Sequence, residues 1–392
     1  MSKQAEQFMG RIEELIINWR RHLHQYPELS FQEAETSRWI AGQLEQLGCQ
    51  PLTNIGGHGI IVTIDSHRPG PTVALRADID ALPIQDEKDC TYRSKHSNVM
   101  HACGHDGHTA ALLAIAAYYQ DNKDWVGVRK LIFQPAEEVS PGGAASMIKA
   151  GALQGVDVIY GVHLWTPLDI GSCSSVSGAF MSTADEFIID IFGKGGHGGL
   201  PHQSVDAIIA GTALVHSVQT IVSRNVNPLQ PAVITIGSIH AGSAPNVIAE
   251  RCQLKGTIRS FDEPTRQYMQ HRLEDVIQHV CALYQTEYKY ELREGYPTLV
   301  NNKEETQRFF EVARAQFGEE NTIEAQPITI AEDFSYYLQQ IPGCFMFVGA
   351  GNDAAGASYP HHHPMFDIDE RAIAYSARLL IGMAESYCAE HK

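Results

Sequence analysis

Four short apolar runs, HGIIVTI (58–64), TVALRAD (72–78), VRKLIFQ (128–134) and VDVIYGVHL (156–164), alternate with stretches of helical character. Strands that are apolar along their length and separated by helices are buried on both faces. Successive strand–helix–strand units of this kind build a largely parallel sheet. The intervening helices are ALLAIAAYYQ (111–120) and SMIKAGAL (146–153). Upstream, Phe8, Ile12, Leu15, Ile16, Trp19 and Leu23 recur at helical spacing and predict one amphipathic helix. A second helix, from about Glu33 to Leu47, is closed by Gly48. The fold class is therefore α/β, a mostly parallel mixed sheet flanked by helices. In such sheets functional residues gather where strands end.

The pattern changes near Asp185. EFIIDIFG (186–193), a helix over roughly Ser204–Ser223, AVITIGSIH (232–240), ERCQLKGTIRSF (250–261), a helix over about Glu263–Leu283 and YKYELRE (288–294) follow in βαββαβ order. That order predicts an inserted α+β domain of ferredoxin-like type at 185–298. α/β material resumes after Thr298, with helices near 303–317 and 332–340, the strand CFMFVGA (344–350) and a last helix from about Glu370. Segments 1–184 and 299–392 are thus expected to form the first domain. A chain of 392 residues is long enough for two cores.

The formal net charge of −17 argues against a nucleic-acid partner, which calls for a basic face. Eight cysteines without a CxxC pair imply free thiols in a reducing compartment. The N-terminal stretch lacks the apolar run of a signal peptide, and no apolar stretch approaches the ~20 residues that span a bilayer. A cytoplasmic protein with no membrane partner is expected.

MHACGHDGHT (100–109) confines His101, Cys103, His105, Asp106 and His108 between a strand end and a helix start. A thiolate and an imidazole two residues apart can reach the same one or two ions. The plain alternative is a polar helix start with Asp106 as its cap. IFQPAEEVSPGG places Glu137 and Glu138 directly after an apolar strand that Pro135 stops. Adjacent residues leaving a strand point in different directions, so one carboxylate can grip metal while the other addresses a water. The residues alone do not say which does which. His163 ends a strongly apolar strand, and YPHHHPMF adds His361, His362 and His363 between prolines. GKGGHGGLPH lacks the GK[ST] ending of a phosphate loop; its glycines suit a bend that brings His197 to a site.

Taken with RADIDALP, GVHLWTP, PNVI, GTIRSF and AEDFSYY, these motifs resemble, in order, the aminoacylase/carboxypeptidase superfamily of dinuclear metallohydrolases. Within it they are similar to the amidohydrolase branch of hippurate hydrolases and hydrolases of indole-acetyl amino acid conjugates. The resemblance implies that Cys103, His105, Glu138, His163 and His362 bind two divalent ions, with Glu137 as general base. The family's ligand histidine stands two places before the proline, here Pro364. The intervening position carries His363, so a neighbouring histidine remains an alternative. Asp80 is implied to orient a ligand imidazole, with Asp78, His101 and His108 as weaker candidates. His197 is implied to reach across a homodimer interface, formed by the inserted lid/dimerisation domain, to the partner's centre and to donate to the carbonyl oxygen. Asn246 and Arg259 are implied to bind the substrate carboxylate, which an Arg fork matches.

The implied reaction is cleavage of an N-acyl amino acid, or a related small conjugate, to a carboxylic acid and a free amino acid. Zinc, manganese, cobalt or nickel would suit the donor set. Three alternatives stand beside it: a dipeptidase or carboxypeptidase using the same site, Cys103 as a nucleophile with a His base, and a non-catalytic metal-binding protein.

Overall fold

A computed structural model describes residues 2–391. The chain packs as two compact units. The first comprises the chain up to Gly178, Val300–Gln326 and the chain from Asp333 onward; the second comprises Ala179–Leu299 and Pro327–Glu332.

The first unit carries an eight-stranded mixed sheet in the order Leu52–Ile55, Gly59–Asp65, Val128–Gln134, Thr72–Asp78, Val158–Asp169, Gly343–Gly351, Cys173–Ser175 and Thr322–Glu324. The four strands from Val128–Gln134 to Gly343–Gly351 run parallel. Asp78 pairs with Gln134 at their shared carboxyl edge, and His163 lies opposite Phe347. The loops carrying Asp80, Glu137 and Glu138 leave from that edge.

The helix His105–Asp121 is buried from His105 to Tyr119 and reads as apolar nearly all round, as a helix enclosed by sheet and neighbouring helices must. Two glycines permit its position. Gly104 starts it at φ 93, a conformation that L side chains avoid. At Gly107 a Cβ would meet Leu164 Cδ1 at 2.4 Å, so any side chain there would have to push Leu164 aside. Leu112, Leu113, Leu75, Leu131, Phe133, Val162, Met346 and Val348 join this core. Each such side chain contributes roughly 1.5–3 kcal/mol on burial.

The expected single N-terminal helix is two, Ser2–Arg11 and Glu13–Gln25, parted at Ile12. Gly10 weakens the helix just before the break, and Leu15, expected on the buried stripe, is 41% exposed.

The second unit has strands Asp185–Phe192, Ala232–Ala241, Arg251–Ser260 and Glu287–Arg293, with helices Ala207–Thr220 and Glu263–Leu283. All sheet neighbours are antiparallel, and by chain order the strands run 2-3-1-4 across the sheet, the ferredoxin-like arrangement. Asp206 and Asp262 cap the two helices by accepting the N–H of Ile208 and Thr265. Arg266 is held by Asp185 at 2.5 Å beneath the sheet. The unit starts six residues before the expected boundary at Asp185 and includes Pro327–Glu332. Ser182 donates its N–H towards the Ile328 and Ile330 carbonyls, and Ile328 donates to Phe180, which ties that segment to this unit. Among the described residues no helix is long and apolar enough to cross a membrane.

Candidate metal centre

Cys103, His105, Glu137, Glu138, His163 and His362 converge in the first unit. Their donor atoms form overlapping groups within 4.8 Å: Cys103, His105 and His163; Cys103, Glu138 and His362; His105, Glu137 and Glu138. Cys103 Sγ lies 3.4 Å from His163 Nε2. Glu138 presents Oε1 to His105 Nε2 at 3.7 Å and Oε2 to His362 Nε2 at 3.5 Å, so its carboxylate bridges two imidazoles. Glu137 stands at the side of this bridge and is buried.

Two of the rings are held in one tautomer from behind. His105 Nδ1 donates to the Asp80 carbonyl at 3.0 Å, and His163 Nδ1 donates to the Leu164 carbonyl at 2.9 Å. In the neutral ring each Nε2 is therefore a lone pair facing the cluster. His105 Nε2 and Glu138 Oε1 are buried with no hydrogen-bond partner among the described residues. Facing each other at that depth, the two atoms cost free energy unless a proton or a metal cation lies between them.

The electrostatics point the same way. Burial opposes charge on His105, yet Asp78, Asp80 and Glu138 raise its pKa to about 10. Burial, then the charges of Glu138 and Glu137, push the Cys103 thiol well above its ordinary value. Burial and the neighbouring His108 and His361 hold His163 well below. The pocket is anionic and favours any positive charge, a metal ion as much as a proton. The same shifts work against Cys103 as an unaided nucleophile, which needs a lowered thiol pKa. The donor set, one thiolate with imidazoles and a bridging carboxylate, fits a pair of divalent ions.

The remaining histidines separate clearly. His108 is fully used: Nδ1 donates to Asp78 at 2.6 Å and Nε2 accepts the Leu164 N–H at 2.8 Å. His361 lies against Trp165 and Phe366 and donates to the Leu164 carbonyl, and burial lowers its pKa to about 4. His363 stacks on Tyr359 and accepts the Met365 N–H. Of the HHH run, His362 alone faces Glu138, turned there by a positive φ of 65 and by its N–H bond to the Ala102 carbonyl. His101 is buried with neither ring nitrogen bonded among the described residues, and burial brings its pKa to about 4.

Asp80 accepts from Ser30 at 2.7 Å and from the Glu138 N–H at 3.0 Å, and also faces His105 Nδ1. Burial would raise Asp78, but His105, His108 and Arg76 hold it well below the carboxylate range. Asp106 does not cap its helix towards solvent. It is buried, accepts from Arg20 at 2.8 Å and faces His24 Nδ1 at 2.7 Å. Arg20 also pairs with Asp367 and Glu370, and His24 with Asp86. Sequence reasoning missed this network. Its one legible signal is that Arg20 and His24 lie on the stripe of Ile16, Trp19 and Leu23, where a charge has no place unless paired.

In the second unit, His197 is exposed on the short strand Gly196–His197, opposite Val247. Its Nδ1 accepts the Gly199 N–H, and Asn246 accepts the Gly198 N–H through its carbonyl, so the PNVI and GGHGG stretches are neighbours. Arg259 is half-buried on Arg251–Ser260 with a long contact to the Thr183 carbonyl, and burial lowers its pKa.

The family model described as peptidase family M20/M25/M40 matches residues 74–386. The chain is 48% identical to YhaA of Bacillus subtilis (strain 168), which carries an amidohydrolase name, over 97% of this chain and 96% of that one. It is 41% identical to an N-acyl-L-amino acid amidohydrolase of Geobacillus stearothermophilus over 77% of this chain and 82% of that one. Among solved structures it is similar to the Bacillus subtilis YXEP protein, described as a dinuclear metal binding peptidase of the M20 family. The TM-score is 0.82 at 32% identity, covering 98% and 99% of the two chains. With this match across both units, the chain belongs to the peptidase family M20/M25/M40 and is a hydrolase of amide bonds.

Proposed function

We propose that this chain is a two-metal amidohydrolase that cleaves N-acyl amino acids to a carboxylic acid and a free amino acid. The observation that carries the reading is the Glu138 carboxylate, set between two imidazoles with Glu137 beside it. Cys103, His105, Glu138, His163 and His362 would hold the ions, and Asp80 with the Asp80 and Leu164 carbonyls keeps the rings aimed. Bound there, two divalent ions supply an acidified water and a polarised amide carbonyl. Glu137 takes the proton of the attacking water at its carboxylate and delivers it to the leaving nitrogen. A donor to the carbonyl oxygen would come from the partner's His197, worth on the order of 10²–10³ in rate. Asn246 and Arg259 would take the substrate carboxylate. The mixed thiolate, imidazole and carboxylate set suits zinc, manganese, cobalt or nickel.

The second unit, taken as the lid and dimerisation domain, supports a homodimer by its sheet edges. Glu287–Arg293 is an edge strand blunted by Lys289, Glu291 and Arg293. The opposite edge, Ala232–Ala241, carries no Asp, Glu, Lys or Arg and exposes Val233 and Ile239, and the helix beside it exposes Ile208 and Ile209. All eight cysteines are free, which suits a cytoplasmic, reducing setting.

A dipeptidase using the same site is the second reading, favoured by the family match itself. Rates on N-acetyl amino acids and on dipeptides, measured side by side on metal-loaded enzyme, separate the two. Faster turnover of dipeptides would replace the first reading by the second.

A further inference from the structure

Two non-glycine residues far apart in sequence, Phe31 and Ala136, adopt left-handed backbone, with φ of 64 and 55. That conformation costs an L residue about 1–2 kcal/mol. The backbone N–H of each is accepted by a single atom, Glu33 Oε1, at 2.9 and 2.8 Å. Glu33 has no accessible surface, and its Oε2 has no hydrogen-bond partner among the described residues. Burial brings its carboxyl up to about 7. A buried acid with half its acceptors unused does not earn its place by stability alone.

Its placement gives a reason. Ala136 is the elbow between Pro135, where the strand has ended, and the pair Glu137–Glu138. The Ala136 N–H is held by Glu33 and its carbonyl by the Gly143 N–H at 3.1 Å. The Glu138 N–H is held by Asp80, which Ser30 grips in turn. Segment Ser30–Glu33 thus holds the elbow twice, once through Asp80 and once through Glu33. The peptide that carries Glu137 lies between these two anchors.

We infer that Glu33 is a positioning residue: it locks Ala136 in the left-handed turn and thereby sets the direction in which Glu137 presents its carboxylate. This rests on Glu137 being the general base. A misplacement of about 1 Å at such a group can cost roughly 100-fold in rate.

The test uses the metal-loaded full chain, with kcat and KM on N-acetyl amino acids, bound metal per chain, and amide exchange of the peptide spanning 135–138. Glu33→Ala should lower kcat by about 100-fold, leave KM and metal content unchanged, and speed exchange at Ala136. Glu33→Gln, whose amide oxygen still accepts both N–H groups, should keep most of kcat and the slow exchange. Adding Ala136→Gly to Glu33→Ala should restore part of kcat, since glycine takes positive φ without a Cβ clash; a purely structural loss would not respond. Wild-type kcat in Glu33→Ala overturns the inference, as does a loss that tracks loss of metal. If Glu33→Ala does not fold, Glu33→Gln decides: a large kcat loss with Ala136 still protected overturns it. Glu137→Gln is the separate control. Full activity there defeats the general-base reading, whatever the exchange at Ala136 shows.

Discussion

Arg20, with no accessible surface, donates to Asp106 at 2.8 Å, and Asp106 directly follows His105. The same guanidinium reaches Asp367 at 2.6 Å and Glu370 at 3.2 Å, in the segment that follows His362. One buried cation therefore ties the two stretches that carry the candidate metal donors His105 and His362 to the helix Glu13–Gln25. Replacing it by Arg20→Met takes the guanidinium from buried Asp106 and Asp367, leaving Asp106 with His24 and Asp367 with Tyr92 and Lys88 at 3.6 Å. The loss of one partner of a buried pair typically costs about 3–5 kcal/mol. Urea denaturation of the metal-loaded protein checks this, and a loss under about 1 kcal/mol would show that the network is not holding the fold.

Acid should dissolve part of the same network. Burial would raise Asp86, but His24, Lys88 and the Ser94 N–H bring it down to about 2. A depressed carboxylate contributes stability above its unfolded pKa of about 3.9, on the order of 2 kcal/mol, and loses it as pH falls towards about 2. The stability gap between wild type and Asp86→Asn should be widest at neutral pH and close between about pH 4 and 2. A gap that stays constant over that window would assign its cause to packing.

Much of the fold is legible in the sequence because its elements are long and periodic. The parallel strands, the helix His105–Asp121 and the βαββαβ order of the second unit all follow from runs of seven or more residues. Leu52–Ile55, Cys173–Ser175 and Thr322–Glu324 are too short to show a period and take strand form only by pairing. In the site, the candidate metal donors stand out because several of them share one loop. The directions in which Glu137 and Glu138 leave the strand are not in the sequence, since the residue before them, Ala136, is left-handed. Nor are the distant partners of Arg20 and Glu33, which lie 86 and 103 residues away; the apolar stripe around Arg20 shows that it must be paired but not with what.

His105 and His108 stand on one turn and look alike in sequence, but they should behave differently. His108→Ala leaves Asp78 Oδ1 and the Leu164 N–H without a partner, each worth about 1–3 kcal/mol, while metal content stays at the wild-type value. His105→Ala should lose metal. Metal analysis beside thermal melts distinguishes them, and equal metal loss in both would make His108 a ligand after all.

Cys103 should act through the metal rather than as a nucleophile. Chelation should abolish activity, and added zinc or manganese should restore it. Iodoacetamide should modify Cys103 only slowly even after chelation, because burial and the facing Glu138 and Glu137 carboxylates disfavour its thiolate in the metal-free site. Inactivation by alkylation with all metal retained would revive the nucleophile.

The most direct measurement is anomalous diffraction at the metal edge from crystals grown with zinc or manganese. The account predicts two peaks per chain, together within about 2.0–2.3 Å of Cys103, His105, Glu138, His163 and His362. A single peak, or peaks bound elsewhere while these five donors stay unligated, would contradict it.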